Sequence, residues 1–184
     1  MENNRRFDEN EFLTNVLKQL DISETDYEKA VESYTAVGKY LELKLGKNVS
    51  IYPQGSFLYG TVARPYFKGK DAEYDIDLVC EYIPFPDTAE VCKNLVRNAL
   101  KDSDRYKKML KDKEGRRCWT LEYAKIGEVD FHMDILPSKA APIEHIKNLV
   151  KQSVPIEYAQ TAISITTKTD DNSYIFIMKI IVSI

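Results

Sequence analysis

Apolar residues recur at three- and four-residue steps near the start of the chain, where Phe12, Leu13, Val16, Leu17 and Leu20 form one stripe and predict an amphipathic helix. "TDYE" then reads as a capping box, with Thr25 as N-cap and Glu28 three residues on. It opens a long helix through Ala30, Val31, Tyr34, Val37 and Leu41 to about Leu45, with Gly46 as its stop. "NVSIYPQGS" reads as a short strand ending at Pro53, and "FLYGT" as a first helical turn. The period changes at "EYDIDLVCEYI", which alternates carboxylate and apolar residues before turning apolar, so it predicts a strand with one exposed and one buried end. "PFPD" breaks it, and "TAEVCKNLVRNALKD" returns to helical spacing. "RRCWTLEYAKI" and "EVDFHMDILP" predict two strands joined as a hairpin around Gly127, the second ended by Pro137. "PIEHIKNLVKQ" predicts a helix and "TAISITTKT" a further strand. Helices alternating with a small mixed sheet define an α/β or α+β domain.

Composition narrows the class. A chain of 184 residues suits one domain, here expected as a single catalytic core over 1–184, with a helical segment at 8–46, a sheet-containing core at 49–170 and an apolar tail at 171–184. Apolar content of 43% and charged content of 30% are those of a globular protein. A net charge of −3 argues against a protein that coats nucleic acid, although a bound cation can still present an anion site. Cys80, Cys92 and Cys118 show no metal-ligand spacing and read as reduced thiols. The N-terminus lacks a signal-peptide pattern, and no run approaches the ~18 apolar residues of a membrane span. The expectation is a cytoplasmic protein with no membrane partner.

The chemistry lies in the carboxylates. Asp75 and Asp77 are two apart, so on a strand both leave the same face while Ile76 and Leu78 turn the other way. Magnesium takes one or two carboxylates together with substrate phosphates, and a pair of such ions roughly 3.5–4 Å apart serves in-line phosphoryl displacement. A DxD alone also describes a solvated strand end. In "VDFHMDILP", however, Val129, Phe131, Met133 and Ile135 face a core, so Asp130, His132 and Asp134 share the opposite face. Asp134, read as lying near the end of its strand, is the third-ligand candidate. Asp130 is the weaker one, lying roughly 7 Å back along the strand, and His132 reads as a structural neighbour or substrate contact. Gly55 and Ser56 follow a strand and precede a helical turn, a place where backbone N–H groups and a serine hydroxyl receive phosphate. Lys68 and Lys70 read as solvated loop lysines, "KDSDRYKKMLKDKEGRR" as a solvated helix end and turn, Arg116 and Arg117 as surface charge or an edge feature, and Trp119 as core.

In their order and spacing, "YPQGSFLYGTVARP", "EYDIDLVC" and "FHMDILP" resemble the polymerase-β-like nucleotidyltransferase superfamily and, within it, the bacterial cGAS/DncV-like nucleotidyltransferases, over about Thr25 to Asp170. The resemblance implies a polymerase-β-like core, a mixed sheet with flanking helices and a long N-terminal helical spine. It implies that Gly55 and Ser56 grip the donor triphosphate with Gln54 beside them, and that Asp75, Asp77 and Asp134 hold two Mg²⁺ ions, Mn²⁺ being an alternative. It implies synthesis of a cyclic di- or trinucleotide from NTPs, ATP among them, with release of pyrophosphate, in anti-phage signalling. No sequence feature names a regulatory protein partner. Relatives continue into a C-terminal helical lobe, whereas this sequence stops after "IFIMKIIVSI". An alternative is therefore a core that binds nucleotide without turnover. Another is an antitoxin-type nucleotidyltransferase modifying a partner protein, against which the eighteen residues between Ser56 and Asp75 count.

Overall fold

The computed structural model describes residues 8–63, 66–67, 70–71, 73–83, 88–123 and 131–180. In chain order the elements are α1 (Glu9–Leu20), α2 (Glu24–Leu45), β1 (Val49–Gln54), α3 (Ser56–Tyr59), β2 (Tyr66–Phe67), β3 (Lys70–Asp71) and β4 (Tyr74–Tyr82). They continue with α4 (Ala89–Lys101), α5 (Asp104–Met109), β5 (Trp119–Tyr123), β6 (Phe131–Ala140), α6 (Ile143–Lys151), α7 (Ile156–Ala159), β7 (Ala162–Lys168) and β8 (Tyr174–Ile180).

The main sheet runs β1-β4-β6-β7-β8, with β5 also paired to β6. Only the β4–β6 pair is parallel; β1, β5, β7 and β8 join their neighbours antiparallel. This is the mixed sheet with flanking helices expected of a polymerase-β-like nucleotidyltransferase core. Alternation splits the sheet into two faces. Ile76, Leu78 and Cys80 of β4, Met133 and Ile135 of β6, and Trp119 and Leu121 of β5 join Val37 and Leu41 of α2 and Cys92, Val96 and Leu100 of α4 in the larger core. Val79, Leu136, Ile163 and Ile165 form a smaller cluster with Tyr52, Cys118 and Ile177. Asp75 and Asp77 share their side of β4 with Val79.

Several expectations need correcting. The cap of α2 is Ser23, whose hydroxyl accepts from Asp26 N–H at 3.1 Å and donates to the Asp26 carboxylate at 2.6 Å. "SETD" overlaps "TDYE", and the earlier box wins because Ile22 just ahead of it packs against the core. The helix end at Leu45 and the Gly46 stop stand as expected. β1 runs one residue past Pro53. Pro137 does not end β6, which continues to Ala140. β5 covers Phe131–Ile135 and β7 begins at Ser138, so Pro137 falls in the interval between them, where a missing N–H is tolerated. Asp134 is therefore the fourth residue of a ten-residue strand, not a strand-end residue. The charged stretch after α4 contains a helix of its own, α5, capped by Ser103 and anchored by buried Tyr106. The apolar stripe of α1 is exposed along its length, from Val16 at 37% to Leu17 at 61%. The expected turn at Gly127, Asp130, Lys68 and the "PFPD" break lie outside the described residues. The final segment adds a strand, as Tyr174–Ile180 pairs with Ala162–Lys168 along its whole length.

Candidate active site

Strand register brings the carboxylates together. Asp77 of β4 lies directly opposite Asp134 of β6, and Asp75 opposite His132. Neighbouring strands stand about 4.8 Å apart, and paired residues point to the same face, so the three aspartates occupy adjacent places on one surface. β4 ends its pairing with β1 at the Gln54–Asp77 pair, which sets the Gly55 turn against the same carboxylate. A Cβ on Gly55 would lie 3.0 Å from Asp77 Oδ2, and the residue has φ of +69°. Glycine is needed there on both counts. Ser56 opens α3, and the cap position itself is Gly55, with no side-chain cap bond. Gln54 is buried, and its Oε1 accepts no hydrogen bond among the described residues.

The surroundings set the charge states. The Asp77 carboxyl is pushed above its ordinary value, first by burial and then by the negative charges of Asp134 and Asp75, with Lys179 pulling the other way. Asp134 is held in place by Thr120, whose hydroxyl donates to its Oδ1 at 2.6 Å. Asp75 is largely exposed and turned towards His132, with 3.8 Å between its Oδ1 and Nδ1, while His132 Nε2 stands 3.3 Å from Glu73. The Cys118 thiol is pushed up to about 12 by burial and by Asp134, so it stays protonated at neutral pH and is no nucleophile.

The donor set suits a hard divalent cation: carboxylate oxygens from two strands, one of them raised in pKa by burial and by like charges that a cation would neutralise. As the side chains stand, no three acidic, histidine or cysteine groups among the described residues close on a single point. An open cavity of about 400 Å³ is lined by Asp77 and Asp134 together with Arg116, Arg117, Cys118 and Lys179. Sequence reasoning missed this cationic lining. Arg117 read as surface charge or an edge feature. The signal for Lys179 was a lone cation in an otherwise apolar tail, and for Thr120 it was a polar residue in phase with Cys118 and Glu122 on β5. Trp119 is core, as expected.

Fold and site together define a nucleotidyltransferase core of polymerase-β type. Residues 49–137 match the family described as cyclic GMP-AMP synthase DncV-like, nucleotidyltransferase domain, and the chain belongs to this family of bacterial cGAS/DncV-like nucleotidyltransferases. A c-di-GMP synthase of Roseivirga ehrenbergii is 30% identical over 132 residues, covering 68% of this chain and 32% of that protein. The structure of the CD-NTase CdnG of Bradyrhizobium diazoefficiens, in complex with GTP, superposes with a TM-score of 0.62 at 24% identity, over 88% of this chain and 41% of that one. The Vibrio cholerae DncV cyclic AMP-GMP synthase, bound to a linear intermediate, gives a TM-score of 0.55 at 16% identity, over 87% and 56%. The chain thus spans about a third of the curated relative and less than half of the CdnG chain. Among the described residues, no helix is long and apolar enough to cross a membrane.

Proposed function

We propose that this chain is the catalytic core of a nucleotidyltransferase that uses Mg²⁺ or Mn²⁺ to join nucleoside triphosphates into a cyclic dinucleotide or trinucleotide, releasing pyrophosphate. The observation that carries the reading is the register of β4 on β6, which sets Asp77 against Asp134 with Asp75 on the same face and the Gly55 turn against Asp77. Asp75, Asp77 and Asp134 would hold the divalent ions, which when bound supply charge neutralisation at the α-phosphate and ease ionisation of the attacking hydroxyl. The polypeptide does the positioning. Gly55 lets the backbone come close to the triphosphate, Ser56 donates to it, and Gln54 flanks them. Arg117 and Lys179, which line the same cavity, balance the charge of the phosphate chain. Thr120 fixes the rotamer of Asp134, so the third carboxylate is aimed before substrate arrives.

Next to the Gly55 turn, a second cavity of about 400 Å³ is lined by Tyr52, Pro53, Leu58, Glu81, Ile146 and Gln160. It is roomy enough for a purine, and Tyr52 donates to Glu81 Oε2 at 2.8 Å, which leaves the other carboxylate oxygen as an acceptor for a base amino group. Relatives that bind GTP or make c-di-GMP support a guanine nucleotide among the substrates. A role in anti-phage signalling, which the family resemblance implies, and a cytoplasmic location belong to the same proposal.

The test is to incubate the chain with Mg²⁺ and each combination of NTPs, following pyrophosphate and identifying products by mass. Turnover by the native chain, abolished in the Asp75→Ala/Asp77→Ala double variant, is the expected result. Equal turnover in the double variant would overturn the site. Nucleotide binding that depends on Mg²⁺ but yields no product would reduce the reading to a binding module.

A further inference from the structure

Lys93, in the middle of α4, is 0% exposed, and nothing in the proposed chemistry uses it directly. Its ammonium donates to the carbonyls of Gly115 at 2.6 Å and Arg116 at 3.0 Å, pairs with Glu114 at 2.9 Å and stands 5.5 Å from the centre of the Trp119 ring. Its own carbonyl accepts from Trp119 Nε1 at 2.9 Å. Glu114 in turn accepts from the Tyr174 hydroxyl at 3.0 Å and pairs with Lys168 at 3.2 Å. Burying an ammonium is costly, and an apolar side chain of similar volume usually serves a core as well or better. The charge therefore suits something other than packing, and what it grips is the turn leading into β5.

That turn is tight. A Cβ on Gly115 would meet Cys118 Sγ at 2.6 Å, so the chain folds back on itself only with glycine there. Arg116 is already engaged, as its Nε donates to the Lys168 carbonyl at 3.0 Å and its Nη2 pairs with Asp170 at 2.9 Å. Arg117 makes no hydrogen bond or ion pair among the described residues, and it lines the same cavity as Asp77 and Asp134. We infer that Lys93 is a positioning residue, fixing the Gly115–Cys118 turn so that Arg117 faces the phosphate chain of a bound nucleotide. The inference rests on the nucleotidyltransferase reading, and it assigns Lys93 to phosphate affinity, not to the chemical step. Burial pulls the Lys93 ammonium below its ordinary value while Glu114 pulls it back up, as for a group held in place and not left to solvent.

Isothermal titration of the full chain with inorganic tripolyphosphate in Mg²⁺, alongside thermal unfolding, tests this. Native protein binds; Lys93→Met and Arg117→Ala each weaken binding about tenfold, and the double variant is no weaker than Arg117→Ala alone, because both changes remove one contact. Lys93→Arg, which keeps charge and donors, recovers part of the loss. Gly115→Ala displaces the turn without touching a charge and lowers affinity similarly, so it carries the test should Lys93→Met fail to fold. Unchanged affinity with only a lowered melting temperature, or losses that add in the double variant, would overturn the role of Lys93 and leave the nucleotidyltransferase reading standing. Native protein that binds no tripolyphosphate would overturn both.

Discussion

Asp77→Asn should make the metal-free protein more stable while removing its response to magnesium. Asp77 lies opposite Asp134 on the adjacent strand, burial and two neighbouring carboxylates raise its pKa, and Lys179 relieves it only in part. Two unit charges about 5 Å apart at an effective dielectric constant of ~20 repel by about 3 kcal/mol. Asp75 adds little to this because its side chain is 73% exposed. Allowing Lys179 to offset about half, the isosteric amide should relieve roughly 1–2 kcal/mol, a rise of about 2–8 °C in Tm for a chain of this length. The sign with pH follows from linkage. A carboxyl whose folded pKa is raised destabilises the folded state once ionised, and the penalty is absent below its unfolded pKa. The advantage of the amide is thus full above the raised folded value and disappears as pH falls through it towards the ordinary aspartate range. Magnesium reverses the order, because it stabilises only a protein that binds it, by mass action. The assay is thermal unfolding of both proteins with EDTA and with Mg²⁺, near neutral pH and again in acid. An amide variant less stable than wild type in EDTA at neutral pH, or stabilised by Mg²⁺ as much as wild type, would refute the reasoning.

Other substitutions probe the neighbours. Thr120→Val removes the hydroxyl that donates to Asp134 at 2.6 Å, and should lower the rate of pyrophosphate release about tenfold with little change in the NTP concentration for half-maximal rate. Gly55→Ala places a methyl 3.0 Å from Asp77 Oδ2 at a φ of +69°, and should cost at least ~1 kcal/mol in denaturant unfolding as well as turnover. Ser23→Ala should cost about 1 kcal/mol through loss of the α2 cap, whereas Thr25→Ala, at the second helical position and not the cap, should leave stability nearly unchanged; urea midpoints separate the two.

Local chemistry was legible in the sequence wherever it depends on neighbours along the chain. The period-two pattern around Asp75 and Asp77 placed both on one face of a strand, and the glycine before Ser56 marked a close approach. Helix periodicity found α2, α4 and α6. What escaped was decided by partners distant in sequence. Pro137 looked terminal because a lone strand loses a donor there, and only the interval between β5 and β7 removes that cost. Ser23 prevailed over Thr25 because Ile22 has a core to enter. Arg117 and Lys179 share no motif with the aspartates, since the β5 turn and β8 bring them to the cavity through folding alone. Lys93 was hidden by the opposite effect: a lysine in an amphipathic helix reads as solvated until the carbonyls it grips are known.

The central claim is that Asp134 shares divalent cations with Asp75 and Asp77. Manganese binding followed by electron paramagnetic resonance, with a non-hydrolysable NTP present, addresses it directly on wild type and on Asp134→Asn. About two ions per chain in wild type, falling to one or fewer in the variant, is the predicted result. The same number of ions bound with the same affinity in both proteins would contradict the account.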